Sequence, residues 1–150
     1  MPVSTCCSWT FEHRARPRAW ATTTSCGSEA ATSSCCGALA DSGADEALVT
    51  LLQRDQVAYG GYSAGACVLG PDLTELERVD DPTAVVAPVT TGLGLLDRPF
   101  VPHVRSPDHP ESVLCDEVAA AYAARGQAHW ALRDGEVLLV DGAAVEVLEP

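Results

Sequence analysis

The seven residues from Gly60 to Ala66, GGYSAGA, limit what this chain can fold into more than any other stretch. Val57-Ala58-Tyr59 before them is β-prone and follows a polar break at Arg54-Asp55-Gln56, whereas Ala64 to Leu69 is small and apolar enough to begin a buried helix. Between the two, Gly61-Tyr62-Ser63-Ala64-Gly65 reads G-x-S-x-G, the pattern of a serine held on a sharp strand-to-helix corner. Such a corner lifts the hydroxyl clear of its own backbone, and glycines two residues to either side let neighbouring segments come close. Ser63 is therefore the candidate nucleophile. The helix start supplies unpaired N–H groups, which makes the Ala64 N–H the candidate donor to a developing oxyanion.

At 150 residues the chain is long enough for one domain with a real core. Its net charge of −12, with no lysine at all, argues against a nucleic-acid partner, which would require a basic face. No apolar run approaches the roughly 20 residues of a membrane span, and the start lacks the apolar core of a secretory signal. A soluble, cytoplasmic protein with no membrane partner is the expectation. Five of the seven cysteines fall within the first 36 residues and none forms a C-x-x-C pair. Adjacent cysteines are poor partners for one tetrahedral ion, so neither a metal nor another cofactor is expected. Cys67 and Cys115 lie in apolar helical contexts and read as buried thiols.

Residues 1–37 differ from the rest, with no alternating strand pattern and no helical apolar stripe. Arginines number three against two acids before residue 41, and six against nineteen from there on. From Ala38 local signals agree with one another. Ser42 and Asp45 resemble a capping box, and Ala44, Leu48, Leu51 and Leu52 recur at helical spacing up to Arg54. Gly70-Pro71 ends the helix after Ser63, and Leu73 to Ala87 reads as a polar, acidic connection. Phe100-Val101 is a short apolar strand that stops at Pro102-His103. A second helix starts near Ser112, shows Leu114, Val118, Ala121 and Tyr122 on one face, and stops at Gly126. Three strand-like runs follow, at Trp130-Ala131-Leu132, Val137 to Val140 and Val145 to Leu148, with hairpin signals at Asp134-Gly135 and Asp141-Gly142. This order of elements predicts an α/β layered domain.

Tyr59 to Ala66, Asp80-Asp81-Pro82, Gly92 to Leu96 and Pro102-His103 together resemble the peptidase E (aspartyl dipeptidase) family of serine peptidases. That family shares the class I glutamine amidotransferase-like (flavodoxin-like) fold and lies close to cyanophycinase. The resemblance covers roughly residues 38–150, the C-terminal catalytic part of such a domain. It implies Ser63 as nucleophile, His103 as general base and Asp80 as the acid that orients the imidazole, with Asp81 as runner-up. A serine hydroxyl is a weak nucleophile until a histidine within hydrogen-bond reach accepts its proton. His103 is preferred to His109 because it ends an apolar strand, where a side chain can be aimed; His109, between Asp108 and Pro110, reads as a solvated turn residue. The resemblance also implies small peptide substrates, including N-terminal aspartyl dipeptides, and an acidic substrate asks for a nearby cation, for which Arg105 is the candidate.

Members of that family carry further strands and a Gly-Gly turn before the nucleophile, and the turn supplies a second oxyanion donor. No such turn precedes Gly60 here. Two alternatives therefore stand beside a serine peptidase: an inactive remnant of the family without a complete oxyanion hole, and an esterase of the α/β-hydrolase type, which also orders its triad serine, acid, histidine. Residues 1–37 are an unpatterned segment for which translation out of frame is one reading. Permitted codons for Trp20 to Gly37, read two nucleotides along, can give GDYDLVWVRGGNVFVLRR, a strand followed by a Gly-Gly turn. The coding DNA tests this directly, because a gene unable to encode that peptide in the shifted frame removes the idea.

Overall fold

The computed structural model describes residues 9–12, 19–23, 43–79 and 89–150, the first two stretches as backbone strands. Two of these strands, β1 (Trp9–Glu12) and β2 (Ala19–Thr23), lie in the segment where no strand was expected. β2 runs parallel to β3 (Val57–Gly60), with Trp20 opposite Ala58 and Thr22 opposite Gly60; β1 completes the sheet antiparallel to β2. Hydrogen bonds from a partner strand, rather than an alternating pattern of the segment's own, impose this structure, and short strands are especially open to such context. The rest of the unpatterned segment, including most of residues 20–37, lies outside the described residues.

Helix α1 (Ala44–Gln53) forms where the apolar spacing predicts it and buries Leu48 against Val57 of β3. Its N-terminus is not a capping box. Gly43 occupies the cap position at φ 69°, no side chain bonds there, and Ser42 lies outside the described residues. The connection after the nucleophile is also less polar than it reads. Thr74–Arg78 is a 3₁₀ helix whose flanking Leu73 and internal Leu76 are buried, because residues three apart share one face of so tight a helix. The Asp72 carboxylate accepts the Thr74 backbone N–H at 2.9 Å and its hydroxyl at 2.7 Å, which fixes the start of that turn.

The main core gathers around helix α3 (Ser112–Ala124). Its inward face runs Ser112, Cys115, Val118 and Tyr122, while Leu114 is exposed. Val118 and Tyr122 are completely buried, each side chain contributing about 1.5–3 kcal/mol by transfer from water. Their neighbours include Val68, Val101 and Leu132. Burial, reinforced by the negative charges of Glu111, Asp116 and Asp134, pushes the Cys115 thiol up to about 12, so it stays a protonated packing group. Cys67, in helix α2 (Ala64–Cys67), is likewise buried.

β4 (Phe100–Val101) and β5 (Trp130–Ala131), joined through α3, pair in parallel with Phe100 opposite Trp130 and Val101 opposite Ala131. Backbone bonds carry the pairing further, from Leu132 N–H to Val101 O at 3.1 Å and from Val104 N–H to Leu132 O at 3.0 Å. Asp134-Gly135 therefore does not turn a hairpin between β5 and the next strand. Asp141-Gly142 does: β6 (Val137–Asp141) and β7 (Ala144–Leu148) are antiparallel, with Asp141 opposite Ala144. Helices and strands are interspersed through the described chain, and strands β2 to β5 are separated by helices, which makes it an α/β protein. No described helix is long and apolar enough to cross a membrane.

Candidate active site

Three residues stand just beyond the carboxyl ends of three strands. Ser63 follows β3, His103 follows β4, and Asp134 follows β5. In α/β proteins this end of the strands is where ligands bind, because the chain leaves each strand there into a loop free to carry function. All three line a single cleft of about 390 Å³.

Ser63 adopts φ 50° and ψ −125°, a conformation that a residue with a Cβ rarely takes. The sequence allows it because the neighbours make room. A Cβ on Gly61 would sit 2.5 Å from the carbonyl oxygen of Gly65, which also accepts the Tyr59 hydroxyl at 2.6 Å. The Ala66 and Cys67 N–H groups return to Ser63 O at 2.9 and 3.1 Å and close the first turn of α2, whereas the Ala64 N–H donates to none of the described residues. It remains available to a ligand at the helix start. Helix α2 lasts one turn, shorter than the apolar run to Leu69 predicts, because Gly70-Pro71 forces the chain out. Gly61→Ala is expected to destabilise the protein by about 1–3 kcal/mol, since the obstructing atoms are backbone; thermal unfolding beside a neutral exposed substitution measures it.

His103 is buried at 2% exposure although it is a titratable residue in a loop. It too has a positive φ, 57°, which turns the side chain back from the end of β4. Its Nδ1 lies 2.6 Å from Oδ1 of Asp134, whose side chain is 43% exposed. With a carboxylate on Nδ1 the neutral ring carries its proton there, which leaves the lone pair on Nε2. That Nε2 is fully enclosed and has no partner among the described residues. Parallel pairing of β4 with β5 brings these groups together: the strands are in register at an offset of 30 residues, and position 103 falls beside 133 and 134. The Asp134 N–H is itself held by Ser106 Oγ at 2.8 Å.

Asp80 and Asp81, the acids implied by the family resemblance, lie outside the described residues. The carboxylate on His103 is that of Asp134, which the sequence presents only as half of an Asp-Gly turn signal; no local pattern marks it. His109 also differs from its reading as a solvated turn residue. It is half-buried and stacks flat on His103, with ring centroids 3.5 Å apart and planes 3° from parallel. Tyr62 meets His103 edge-on at 5.5 Å. His129 bonds through Nδ1 to Gln127 O at 3.1 Å, away from the cleft lining, and His13 lies outside the described residues.

Arg105 is exposed and borders a neighbouring hollow of about 290 Å³ rather than the Ser63 cleft. The described cation that lines the cleft is Arg133, and Glu136 engages it through Nε at 2.8 Å and Nη2 at 2.6 Å. Much of the remaining lining is apolar, from Leu69, Leu96, Phe100 and Leu138 among others. Among the described residues the donor atoms of His103, His109 and Glu111 lie within 4.8 Å of one another. Parallel stacking directs the two imidazole lone pairs side by side rather than onto one point, which is a poor arrangement for a shared tetrahedral ion.

No curated protein matches the chain in sequence. Its fold matches the 1.5 Å crystal structure described as a peptidase E protein from Listeria monocytogenes EGD-e, with a TM-score of 0.70 at 18% identity over 87% of this chain. The chain spans 58% of that protein's length. Residues 32–148 match the model of peptidase family S51. With more than half of its length carrying that match, and with a G-x-S-x-G corner lining the same cleft as a buried histidine, the chain belongs to peptidase family S51.

Proposed function

We propose that this protein is a serine peptidase that hydrolyses small peptides through an acyl-enzyme on Ser63. The observation that carries the proposal is the state of His103, which lines the same cleft as Ser63: Nδ1 is bound to Asp134 at 2.6 Å, and Nε2 is buried and has no partner among the described residues. In this reading Ser63 Oγ attacks the scissile carbonyl carbon as its proton passes to His103 Nε2. The carbonyl oxygen becomes an oxyanion and accepts the Ala64 N–H, aided by the helix start. Collapse breaks the C–N bond, and the departing amine takes the proton from His103. Water then attacks the ester with His103 again as base, releasing the carboxylate product and restoring the hydroxyl. Asp134 stays ionised and holds the imidazolium in place.

The family resemblance supports peptide substrates and, as a finer proposal, N-terminal aspartyl dipeptides. The same resemblance supports a class I glutamine amidotransferase-like (flavodoxin-like) layering for the domain of residues 38–150. A fluorophosphonate probe tests the nucleophile. Labelling of the wild-type chain and its loss in Ser63→Ala are expected, with turnover of a chromogenic dipeptide exceeding that of a simple ester. Absence of labelling would favour the inactive remnant, and faster ester turnover the α/β-hydrolase-type esterase.

A further inference from the structure

We infer that His109 is a positioning residue for the general base, a flat and neutral plate on which the His103 ring is seated; the inference rests on the proposed Ser63 mechanism. The bond to Asp134 fixes one atom of the His103 ring but leaves the ring able to rock about that contact. Rocking would change the direction in which Nε2 presents its lone pair. A parallel ring 3.5 Å away, with Tyr62 standing edge-on at 5.5 Å, removes that freedom.

His109 is itself anchored at three points. Its N–H donates to Ser106 O at 2.8 Å, its carbonyl accepts the Ser112 N–H at 3.1 Å at the start of α3, and its Nδ1 accepts the Glu111 N–H at 3.3 Å. The last bond selects the tautomer of the neutral ring. A backbone N–H can only donate, so in this bond Nδ1 presents its lone pair and the neutral tautomer carries its proton on Nε2. Charge matters because His103 becomes a cation in the transition state. A neutral aromatic face attracts a cation, whereas a second imidazolium in the same place would repel it. The short turn that carries His109 also steadies the acid. Ser106 Oγ accepts the Asp134 N–H at 2.8 Å, and the Ser106 N–H donates to Ser112 Oγ at 2.9 Å. Residues 106–112 thus hold both partners of the His103–Asp134 pair to the end of one helix.

Three substitutions separate flatness from charge. His109→Ala is expected to lower kcat by about 10- to 100-fold, the scale of a misplaced catalytic group, with KM changed less than about twofold. His109→Phe, flat and neutral, is expected to recover activity to within about threefold of wild type. His109→Arg, flat but always charged, is expected to remain near the alanine variant. Wild-type kcat in His109→Ala, or no recovery in His109→Phe, overturns the seating role; an arginine variant as active as the phenylalanine one overturns the need for neutrality. Thermal melts identify any variant that fails to fold. An NMR readout keeps the seating role testable if the chain proves not to be a peptidase. Loss of the stacked neighbour in His109→Ala should move the His103 ring protons downfield, and unchanged shifts would overturn the stack itself.

Discussion

Asp134→Asn is expected to lower kcat by about 10⁴-fold with little change in KM, the loss that follows when a histidine base is left with an amide in place of its carboxylate. The carboxylate can only accept from Nδ1–H, so it selects the tautomer with the lone pair on Nε2 and then balances the positive charge that the ring acquires. An amide can present its NH₂ to Nδ1 instead, which places the proton on Nε2, where it blocks the reaction. At 2.6 Å the existing contact is short even for a charge-assisted bond, and it joins two loops 31 residues apart. Steady-state kinetics on a dipeptide substrate, with Asp80→Asn measured beside it, decides between the two acids. Activity within tenfold of wild type in Asp134→Asn together with a collapse in Asp80→Asn would return the role to Asp80.

Ser63→Gly is expected to abolish peptide hydrolysis, by about 10⁶-fold, and at the same time to make the protein more stable. At φ 50° and ψ −125° a non-glycine residue carries roughly 1–3 kcal/mol of backbone strain. Glycine adopts the conformation freely but loses about 0.5–1 kcal/mol through its more disordered unfolded chain. The balance is a gain of about 1 kcal/mol, or roughly 2–4 °C in Tm for a chain of this size. Ser63→Ala keeps the Cβ and the strain, so it should be equally inactive and no more stable than wild type. Differential scanning calorimetry of the two variants measures the difference directly. A glycine variant less stable than the alanine variant would show that the corner is not strained, and that the serine does not depend on its surroundings to hold it there.

The elements that could be read from the sequence are those whose cause is local. Val57 to Gly60 is a strand and Ala44 to Gln53 a helix because apolar periodicity and breaker residues act within a few positions of one another. The serine corner is legible for the same reason, since Gly61 and Gly65 are needed by the residue midway between them. Elements that escaped the sequence owe their form to distant partners. β1 and β2 lack any pattern of their own and exist as strands because β2 pairs with the edge of β3 and β1 with β2. Leu73 and Leu76 look like apolar exceptions in a polar connection until the core forms beneath them.

The sequence by itself determined the candidate nucleophile, because a G-x-S-x-G corner is fixed by short-range backbone geometry, while the candidate base and the family came from the set of motifs that resembles peptidase E. Only the tertiary structure decided what surrounds that base. Parallel pairing of β4 with β5 set Asp134 on Nδ1, and the turn before α3 folded His109 onto the ring face. Contacts between residues far apart in the chain depend on strand register and helix anchoring, and neither leaves a trace in the spacing of neighbouring residues.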